Sequence, residues 1–364
     1  MKIYNIVAGS KSTIGGAPIY ARRSATHTSS KLVYGNGMGL KSLVAAFYLL
    51  FKRPDLVVIH DMSGFYYTLF PKFIRAPYIY NSLGLWKRYF VGMKHKNFLQ
   101  QIKSRIAVFV EKHVIKKSEC VITISDQIKY DVINYYGVDK KLIHVIYPGS
   151  SDTFYNKALS RSSRIKIRQK YNIGEDKFVI IFIGQDFVRK GLKELIDAVS
   201  CFDKLYLIVI GNERNDTFNK SVKKILNLGV SNRFIFEKTV PNIDEYLYAS
   251  DMLVLPAHYD PFGMVVTEAM AHRLPVVVSI NAGASELIKD GLNGFVINKI
   301  DWKTVASKII LVKNKNLMER VSKKCLETAK SIRWETQGMK YKKIYNSVVR
   351  NRRSFNNIYR MNNS

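Results

Sequence analysis

Two carboxylates, Asp260 and Glu268, bound a segment that reads DPFGMVVTE. An apolar run that predicts a strand precedes the segment and its second half predicts a helix, so Asp260 would precede the helix and Glu268 would lie about one turn inside it. The amides at the predicted helix start belong to Phe262, Gly263, Met264 and Val265. Carboxylates accept hydrogen bonds from sugar and ribose hydroxyls, and amides at a helix start bind sugar or phosphate oxygens. An aspartate helix cap followed by a surface glutamate fits the residues alone equally well.

Two adjacent cations, Arg189 and Lys190, lie in the segment GQDFVRKG, between Gly184 and Gly191, after another predicted strand. A guanidinium and an ammonium near a helix start would stabilise the charge that a diphosphate leaving group gains as its bond to a sugar breaks. A solvated basic turn explains the pair taken alone. Because ligands of open α/β sheets bind beyond the carboxyl ends of the strands, two such motifs in one half of the chain favour a binding site.

A glycine pair, Gly15 and Gly16, follows the first predicted strand. Such a pair lets the backbone approach a diphosphate or a sugar closely, although most glycine pairs are plain turns. His60 follows the predicted strand LVVI, and we predict a hydrogen-bonded histidine at a strand end there rather than a site residue.

The elements that position these residues alternate short β-branched or aromatic runs with longer amphipathic stretches, which is typical of parallel sheets flanked by helices. We therefore predict an α/β protein of two Rossmann-like, doubly wound domains that face a central cleft. A chain of 364 residues exceeds one ordinary domain of about 100 to 200 residues. A loop with Pro and Gly at 147–155 sets the boundary, so the predicted domains are 1–150 and 151–335. Residues 336–364 are predicted as a helix with a frayed polar tail after Arg350.

The composition, with 47% hydrophobic and 24% charged residues, is that of a globular protein. The longest apolar run, about ten residues, is shorter than the roughly 18 to 20 that cross a bilayer. The amino terminus lacks the pattern of a secretory signal, so we expect no export. Three scattered cysteines lack metal or disulfide spacing and favour a reducing compartment. We expect a cytoplasmic protein, with peripheral attachment to the cytoplasmic membrane face as an option.

The formal net charge of +30 is unevenly distributed along the chain. Residues 1–100 hold 14 Lys and Arg against 2 Asp (+12), whereas residues 251–300 hold 3 basic and 5 acidic side chains (−2). Nucleic acid, an anionic membrane or an acidic acceptor would each suit such a charge. Nucleic-acid binding accounts for neither motif, so no nucleic acid is expected.

The segment 87–117 is basic and aromatic, with nine Lys or Arg and one Glu. Part of it predicts an amphipathic helix. Its apolar face would hold Leu99, Ile102, Ile106, Phe109 and Val110. Contact with an anionic membrane surface and a core-facing helix with a solvated basic side are both compatible with this pattern.

The two motifs, read with SECVITISDQIKYDVINYYGVDKKLIHVIYPG from Ser118 onward, resemble the GT-B-fold retaining glycosyltransferases of family 4, also called group 1. Within that family the sequence is most similar to the lipopolysaccharide-core glucosyltransferases. The resemblance covers residues 105–350 well and the first hundred residues loosely. It implies an acceptor-side first domain, a second domain that binds a nucleotide sugar, and a last helix that packs back toward the first domain.

The resemblance implies transfer of a hexose, with retention at the anomeric carbon, to a glycolipid, lipopolysaccharide-core, oligosaccharide or polysaccharide acceptor. Glucose is the favoured sugar and UDP-glucose the favoured donor. A UDP-sugar is favoured over a GDP-sugar. Asp260 and the amides after it match positions that contact the transferred sugar, and Glu268 matches the contact to the ribose. Arg189 and Lys190 match the pair that grips the diphosphate. No metal, and no cofactor other than the nucleotide sugar, is therefore expected.

The sequence departs from the family pattern in three places. The motif starts with Asp260 rather than the commoner glutamate, which shortens the reach of the acid and leaves the hexose open. Residues 21–37 stand where relatives carry a full helix and a second strand. Asn81 and Ser82 stand where many relatives carry a histidine, so no catalytic histidine is carried over. The alternative function is a non-catalytic module that binds a nucleotide sugar or glycan at an anionic membrane.

Overall fold

A computed structural model describes residues 1–10, 16–91, 98–150, 161–212 and 216–361. The chain forms two compact units. The first unit holds Met1–Pro148 and Trp334–Ser364, and the second holds Gly149–Arg333. The last part of the chain thus belongs to the first unit. Most of the predicted boundary loop lies outside the described residues. No helix in the described ranges has an apolar stretch long enough to cross a membrane.

The sheet of the first unit consists of short parallel strands, of which the two at the edges are only partly buried. They are β1 (Ile3–Ala8), β2 (Lys31–Gly35), β3 (Leu56–Ile59), β4 (Tyr78–Ser82), β5 (Cys120–Thr123) and β6 (Ile143–Val145). Their order in the sheet is β2-β1-β3-β4-β5-β6. Leu, Val, Ile and Tyr side chains fill β3 and the first three positions of β4, because helices cover both sides of a parallel sheet. Asn81 and Ser82, at the end of β4, are also buried.

The sheet of the second unit is also parallel. Its strands are β7 (Phe178–Ile183), β8 (Leu205–Ile210), β9 (Phe234–Glu237), β10 (Met252–Leu255), β11 (Val276–Ser279) and β12 (Phe295–Ile297). They are arranged β12-β11-β10-β7-β8-β9. The chain builds outward from β7 to β9 and then returns to the other side of β7 with β10, which is the doubly wound order of Rossmann-like domains. The predicted α/β fold class with two Rossmann-like domains is confirmed.

Helices connect the strands of both units. In the described ranges they are α1 (Gly16–Thr28), α2 (Leu40–Lys52), α3 (Phe65–Leu69), α4 (Trp86–Val91), α5 (Phe98–Lys116), α6 (Asp126–Tyr136), α7 (Arg161–Lys170), α8 (Leu192–Ser200), α9 (Asp216–Asn227), α10 (Ile243–Ala249), α11 (Met264–Ala271), α12 (Trp302–Val312), α13 (Lys315–Ser331) and α14 (Trp334–Met361). Since crossovers between parallel strands are right-handed, the strand order puts α1 on one face of the first sheet and α2, α3, α5 and α6 on the other. The contacts of α2 with α3, of α3 with α5 and of α5 with α6 agree with this arrangement. Helix α14 packs on α1.

The predicted departure at residues 21–37 is wrong, because these residues form most of α1 and all of β2. The buried positions of α1 are Tyr20, Ala21, Ser24, Ala25 and Thr28. Their spacing is helical, but small Ala, Ser and Thr side chains give a weak hydrophobic signal. Tyr20 is the one large side chain among these five. Its ring lies 5.3 Å from that of Trp334, and its hydroxyl hydrogen-bonds to Tyr341 of α14.

The predicted frayed tail after Arg350 is also wrong, because α14 continues to Met361. Arg353 in this extension forms a 3.1 Å ion pair with Asp55 of the first unit. This ion pair joins the extension of the helix to the loop before β3. The prediction of a frayed tail rested on the polar composition of the residues after Arg350.

A buried carboxylate, Glu111 of α5, connects three neighbouring elements of the first unit. It accepts hydrogen bonds from the backbone N–H of Trp86 (3.0 and 3.2 Å) and from the hydroxyls of Tyr80 (3.4 Å) and Tyr136. Its side chain is almost completely buried. Burial raises the pKa of Glu111 to about 7, although the donors favour the charged form.

We expect Glu111→Gln to flatten the pH dependence of the free energy of unfolding. Since the folded protein holds this proton more tightly than the unfolded chain, the stabilising contribution is complete below the ordinary pKa of 4.5 and is lost as the pH rises through about 7. At roughly 1.4 kcal/mol for each pH unit, the loss reaches about 3 kcal/mol. Urea unfolding of both proteins at pH 5 and pH 8 measures it, and equal losses in wild type and variant would contradict the expectation.

Candidate active site

The two sequence motifs lie on loops that leave neighbouring strands of the second sheet. Strands β7 and β10 pair, with Ile180 beside Met252. The loop 184–191 follows β7 and the loop 256–263 follows β10. The strand order reverses between β7 and β10, and ligands of such sheets bind beyond the carboxyl ends of the strands at that point.

Lys190 and Asp260 form a nearly buried ion pair at this end of the sheet. Lys190 Nζ lies 3.0 Å from Asp260 Oδ2, and the side chains are only 13% and 10% exposed. Asp260 Oδ1 accepts from the Phe262 backbone N–H at 3.2 Å, whereas Oδ2 makes no aligned hydrogen bond within the described part of the chain. An ammonium group has three donors. The pair therefore keeps donor and acceptor capacity for a ligand.

Arg189 connects the two loops. Its Nη1 donates to the Tyr259 carbonyl oxygen at 2.6 Å, and its own carbonyl oxygen accepts from the His258 N–H at 2.8 Å. Its Nε donates to Asp186 Oδ2 at 2.6 Å. These contacts hold the guanidinium in one orientation at the partly exposed edge of the site.

Each of the two predicted cations has a carboxylate partner, Asp186 for Arg189 and Asp260 for Lys190. Asp186 was not predicted as a site residue, although it stands within the quoted motif at i,i+3 spacing from Arg189. It also adopts a φ of +58°, which is uncommon for a residue other than glycine. Two cations against two carboxylates leave these four side chains with no net charge. An incoming diphosphate would compete with carboxylates for the same donors.

The backbone of Asp260 is held by the chain that follows β11. The Asp260 N–H donates to the Asn281 carbonyl oxygen, and its own carbonyl oxygen accepts from the Gly283 N–H, both at 3.0 Å. The Ala284 N–H donates to the Phe262 carbonyl oxygen at 2.7 Å. Residues 281–284 thus support the motif loop, a role that the sequence did not indicate.

Helix α11 begins in this loop without a side-chain cap. Gly263 is its N-cap residue and has a φ of +87°, which suits glycine. Phe262 is buried, while Met264 and Val265 are half-buried in the first turn. Uncapped amides and the helix dipole favour a polar or anionic oxygen here.

Glu268 lies four residues after Met264, in the second turn of α11, and is half-buried. Its carbonyl oxygen lies 2.9 Å from Nδ1 of the buried His272. The His272 ring packs against Tyr248 with 4.7 Å between ring centroids. The histidine thus anchors the end of the helix that carries Glu268.

Gly191 allows the two loops to approach each other. It has a φ of +73°, and a Cβ there would lie 2.0 Å from the Pro256 carbonyl oxygen.

We expect Gly191→Ala to lower the free energy of unfolding of the second unit by about 2 to 4 kcal/mol, because the loops must separate. Gly229→Ala is the matched control, since its φ is +67° and a Cβ there meets nothing within 4 Å. It should cost about 1 kcal/mol, and equal losses in urea unfolding would refute the packing explanation.

Two predictions concern the first unit. Gly15 lies outside the described residues, and Gly16 begins α1 in an exposed position where a Cβ would meet nothing within 4 Å. His60 lies at the end of β3 with Nε2 2.8 Å from Asn5 Oδ1, as the predicted hydrogen-bonded histidine requires. Burial lowers the pKa of His60 to about 3, so it stays neutral. Across the described ranges, no group of three or more His, Cys, Asp and Glu side chains is arranged to hold a metal ion.

Family models match both halves of the chain. The model described as Glycosyl transferases group 1 matches residues 163–330, and the model described as Glycosyltransferase Family 4 matches residues 15–152. The first match contains both motif loops of the site.

Several relatives and solved structures are similar to the chain. It is 27% identical over 292 residues to the capsular polysaccharide biosynthesis glycosyltransferase CapM of Staphylococcus aureus, with 78% of this chain and 74% of CapM covered. It is 27% identical over 214 residues to the lipopolysaccharide glucosyltransferase WaaG of Escherichia coli K12, with 56% of each covered.

Anabaena Alr3699/HepE in complex with UDP and glucose has a TM-score of 0.79 at 21% identity, with 95% of this chain and 100% of HepE covered. The WaaG crystal structure has a TM-score of 0.75 at 19% identity, with 94% and 99% covered. These structural likenesses show the fold, and the two family models identify the domains. The chain belongs to the GT-B-fold glycosyltransferases that combine a group 1 domain with a family 4 domain.

Proposed function

We propose that the protein is a retaining hexosyltransferase that moves a sugar from a nucleotide sugar to a glycolipid, lipopolysaccharide-core or polysaccharide acceptor. The ion pair of Lys190 and Asp260 beyond β7 and β10 is the observation that carries the proposal. UDP-glucose is the favoured donor, since HepE has been crystallised with UDP-glucose and WaaG is named a glucosyltransferase. The names of CapM and WaaG support a capsular or lipopolysaccharide acceptor.

In the proposed reaction the diphosphate binds to Arg189 and Lys190, which stabilise the charge that it gains as the glycosidic bond breaks. Asp260 and the first amides of α11 orient the sugar, and Glu268 holds the ribose. The acceptor hydroxyl attacks the anomeric carbon on the face that the diphosphate leaves. Its proton passes to the departing diphosphate, so the reaction needs neither a protein nucleophile nor a metal.

In this proposal each of the two units has its own role. The second unit binds the nucleotide sugar and the first provides the acceptor side. The proposed location is the cytoplasm, with residues 87–117 contributing to contact with the cytoplasmic membrane face. A module that binds a nucleotide sugar without catalysis remains the second candidate, because it would use the same cations and carboxylates.

A panel of UDP-, GDP- and ADP-sugars tests the proposal. We expect UDP-glucose to raise the unfolding temperature and to be hydrolysed slowly without acceptor, with or without EDTA. Stabilisation without hydrolysis or transfer would favour the binding module. A protein that is neither stabilised by a donor nor able to consume one would refute both.

A further inference from the structure

The outer face of α2 is apolar, whereas its inner face consists mainly of small residues. The exposed apolar positions follow helical spacing and are Leu40, Val44, Phe47, Tyr48 and Phe51. The buried positions are Ser42, Ala45, Ala46 and Leu49. Leu40 and Phe51 are 74% and 80% exposed. A surface helix of a globular protein has the opposite pattern, so the packing of this unit does not explain the outer face.

The turn after α3 extends this apolar face. Helix α3 packs against both α2 and α5, and the rings of Phe47 and Phe70 lie 5.5 Å apart. The exposed apolar side chains here are Leu69, at the end of α3, and Phe73 and Ile74 in the turn. At 86% exposed, Phe73 makes little contact with its own unit.

Helix α5, on the same side of the sheet, exposes the apolar stripe that its sequence predicts. Leu99, Ile102, Ile106 and Phe109 are exposed, and Val110 is buried. The other buried positions of this helix are Ser104, Ala107, Glu111, Val114 and Ile115. The helix therefore faces the core with a different set of side chains, and four of the five predicted stripe positions lie on its exposed side.

The charge around these elements is strongly positive. Residues 38–117 contain 14 Lys and Arg against three acids. Asp55 is paired with Arg353, Asp61 accepts two backbone N–H bonds at 2.6 Å each, and Glu111 is buried. All three carboxylates thus have partners within the unit. A lysine stands near each end of the exposed stripe of α2.

We propose that the outer faces of α2 and α5, together with residues 69–74, form one lipid-binding surface for an anionic bilayer. Exposed rings such as Phe51 and Phe73 enter the boundary between headgroups and acyl chains, while Lys41 and Lys52 meet lipid phosphates. The surface extends beyond the segment 87–117 and is centred on α2. The proposal deepens the membrane contact that the proposed function assigns to residues 87–117, and it depends on neither the donor nor the acceptor.

An anionic lipid surface fits better than two other partners. A second copy of the chain would bring the same cations against this face, and like charges at an interface are unfavourable. Nucleic acid would neutralise the lysines but would leave a helical stripe of Leu, Val and Phe side chains without an apolar partner. A lipid bilayer satisfies both the rings and the cations.

Flotation of the full chain with vesicles tests the proposal. The wild type should bind vesicles of equal parts phosphatidylglycerol and phosphatidylcholine, and should bind pure phosphatidylcholine much less. Phe51→Ser/Phe73→Ser should lower the ratio of bound to free protein by about tenfold, because two large apolar side chains no longer enter the bilayer. Lys41→Glu/Lys52→Glu should lower the ratio about tenfold on the anionic vesicles.

Matched variants in the second unit provide the controls. Leu226→Ser/Leu228→Ser removes two side chains that are 59% and 51% exposed, and Lys313→Glu/Lys315→Glu makes the same charge change on exposed lysines. Both should float like wild type. All variants should keep donor hydrolysis in lipid-free buffer, so that lost lipid binding is distinguishable from a wrong catalytic assignment. Equal loss in the controls, no flotation of the wild type, or dimers that the Phe51→Ser/Phe73→Ser change dissociates would overturn the lipid proposal.

Discussion

Replacing Lys190 with methionine is expected to lower the rate of sugar transfer by about a hundred- to a thousandfold. The change removes the ammonium that would meet the leaving diphosphate. Methionine keeps much of the apolar stem that lies over Gly184, where a Cβ would come within 2.5 Å of Lys190 Cδ. The rate is measured with saturating donor, on protein whose folded fraction is checked by circular dichroism.

Lys193→Met is the matched control for this prediction. Lys193 is three residues further along, is 57% exposed and pairs with Asp197 at 2.7 Å. Its replacement removes the same charge from the surface of α8 and should leave transfer near the wild-type rate. If Lys190→Met retained more than half of the wild-type rate, Lys190 would have no role in departure of the leaving group.

The second large effect is expected for Asp260→Asn, which should lower transfer about a hundredfold. Asparagine keeps an oxygen for the Phe262 amide, so the motif loop is retained. It loses the negative charge beside Lys190 and the buried oxygen proposed to orient the sugar. If the rate of sugar transfer falls while the motif loop is unchanged, the loss of activity is due to the chemistry of the site and not to misfolding.

Asp290→Asn is the control, because Asp290 has the same kinds of partner outside the proposed site. It accepts from the Val296 N–H at 2.8 Å and pairs with Lys308 at 3.0 Å. Its replacement should leave transfer unchanged. Comparable loss of activity in the two asparagine variants would contradict the assignment of Asp260.

The double variant Lys190→Met/Asp260→Asn separates stability from activity. Either single change leaves one nearly buried charge without its partner, which costs roughly 3 to 5 kcal/mol. The double change removes both charges, so part of this free energy of unfolding should return while transfer stays low. Recovery of transfer together with stability would show that the ion pair acts only in folding.

Much of the fold is predictable because apolar runs mark buried strands and helix faces. The apolar patterns at Leu40–Lys52, Met252–Leu255 and Val276–Ser279 predict α2, β10 and β11 with the bounds that are observed. The sequence pattern does not indicate α7, because Ile167 is the one apolar side chain that it buries within the described residues and two arginines attach it. Arg164 and Arg168 bind the same carboxylate, Asp251, at 2.7 and 2.8 Å.

The site is predictable only in part. Motif spacing and strand ends indicated where Lys190 and Asp260 lie along the chain. Their contact depends on the pairing of β7 with β10, which no local pattern encodes. The neutralising role of Asp186 depends on its unusual φ and on the orientation of Arg189, and both are properties of the folded loop.

The return of the last helix to the first unit has a consequence for synthesis. The ends of the second unit lie side by side, with Ser150 bridged to Arg333 and its N–H bonded to the Ile332 carbonyl oxygen. By contrast, the core of the first unit includes Trp334 and Tyr341, which the ribosome adds only after Arg333. The unit translated first is thus the last to be completed. A chain released at Arg333 would carry all of the second unit and a first unit whose core is open along α1.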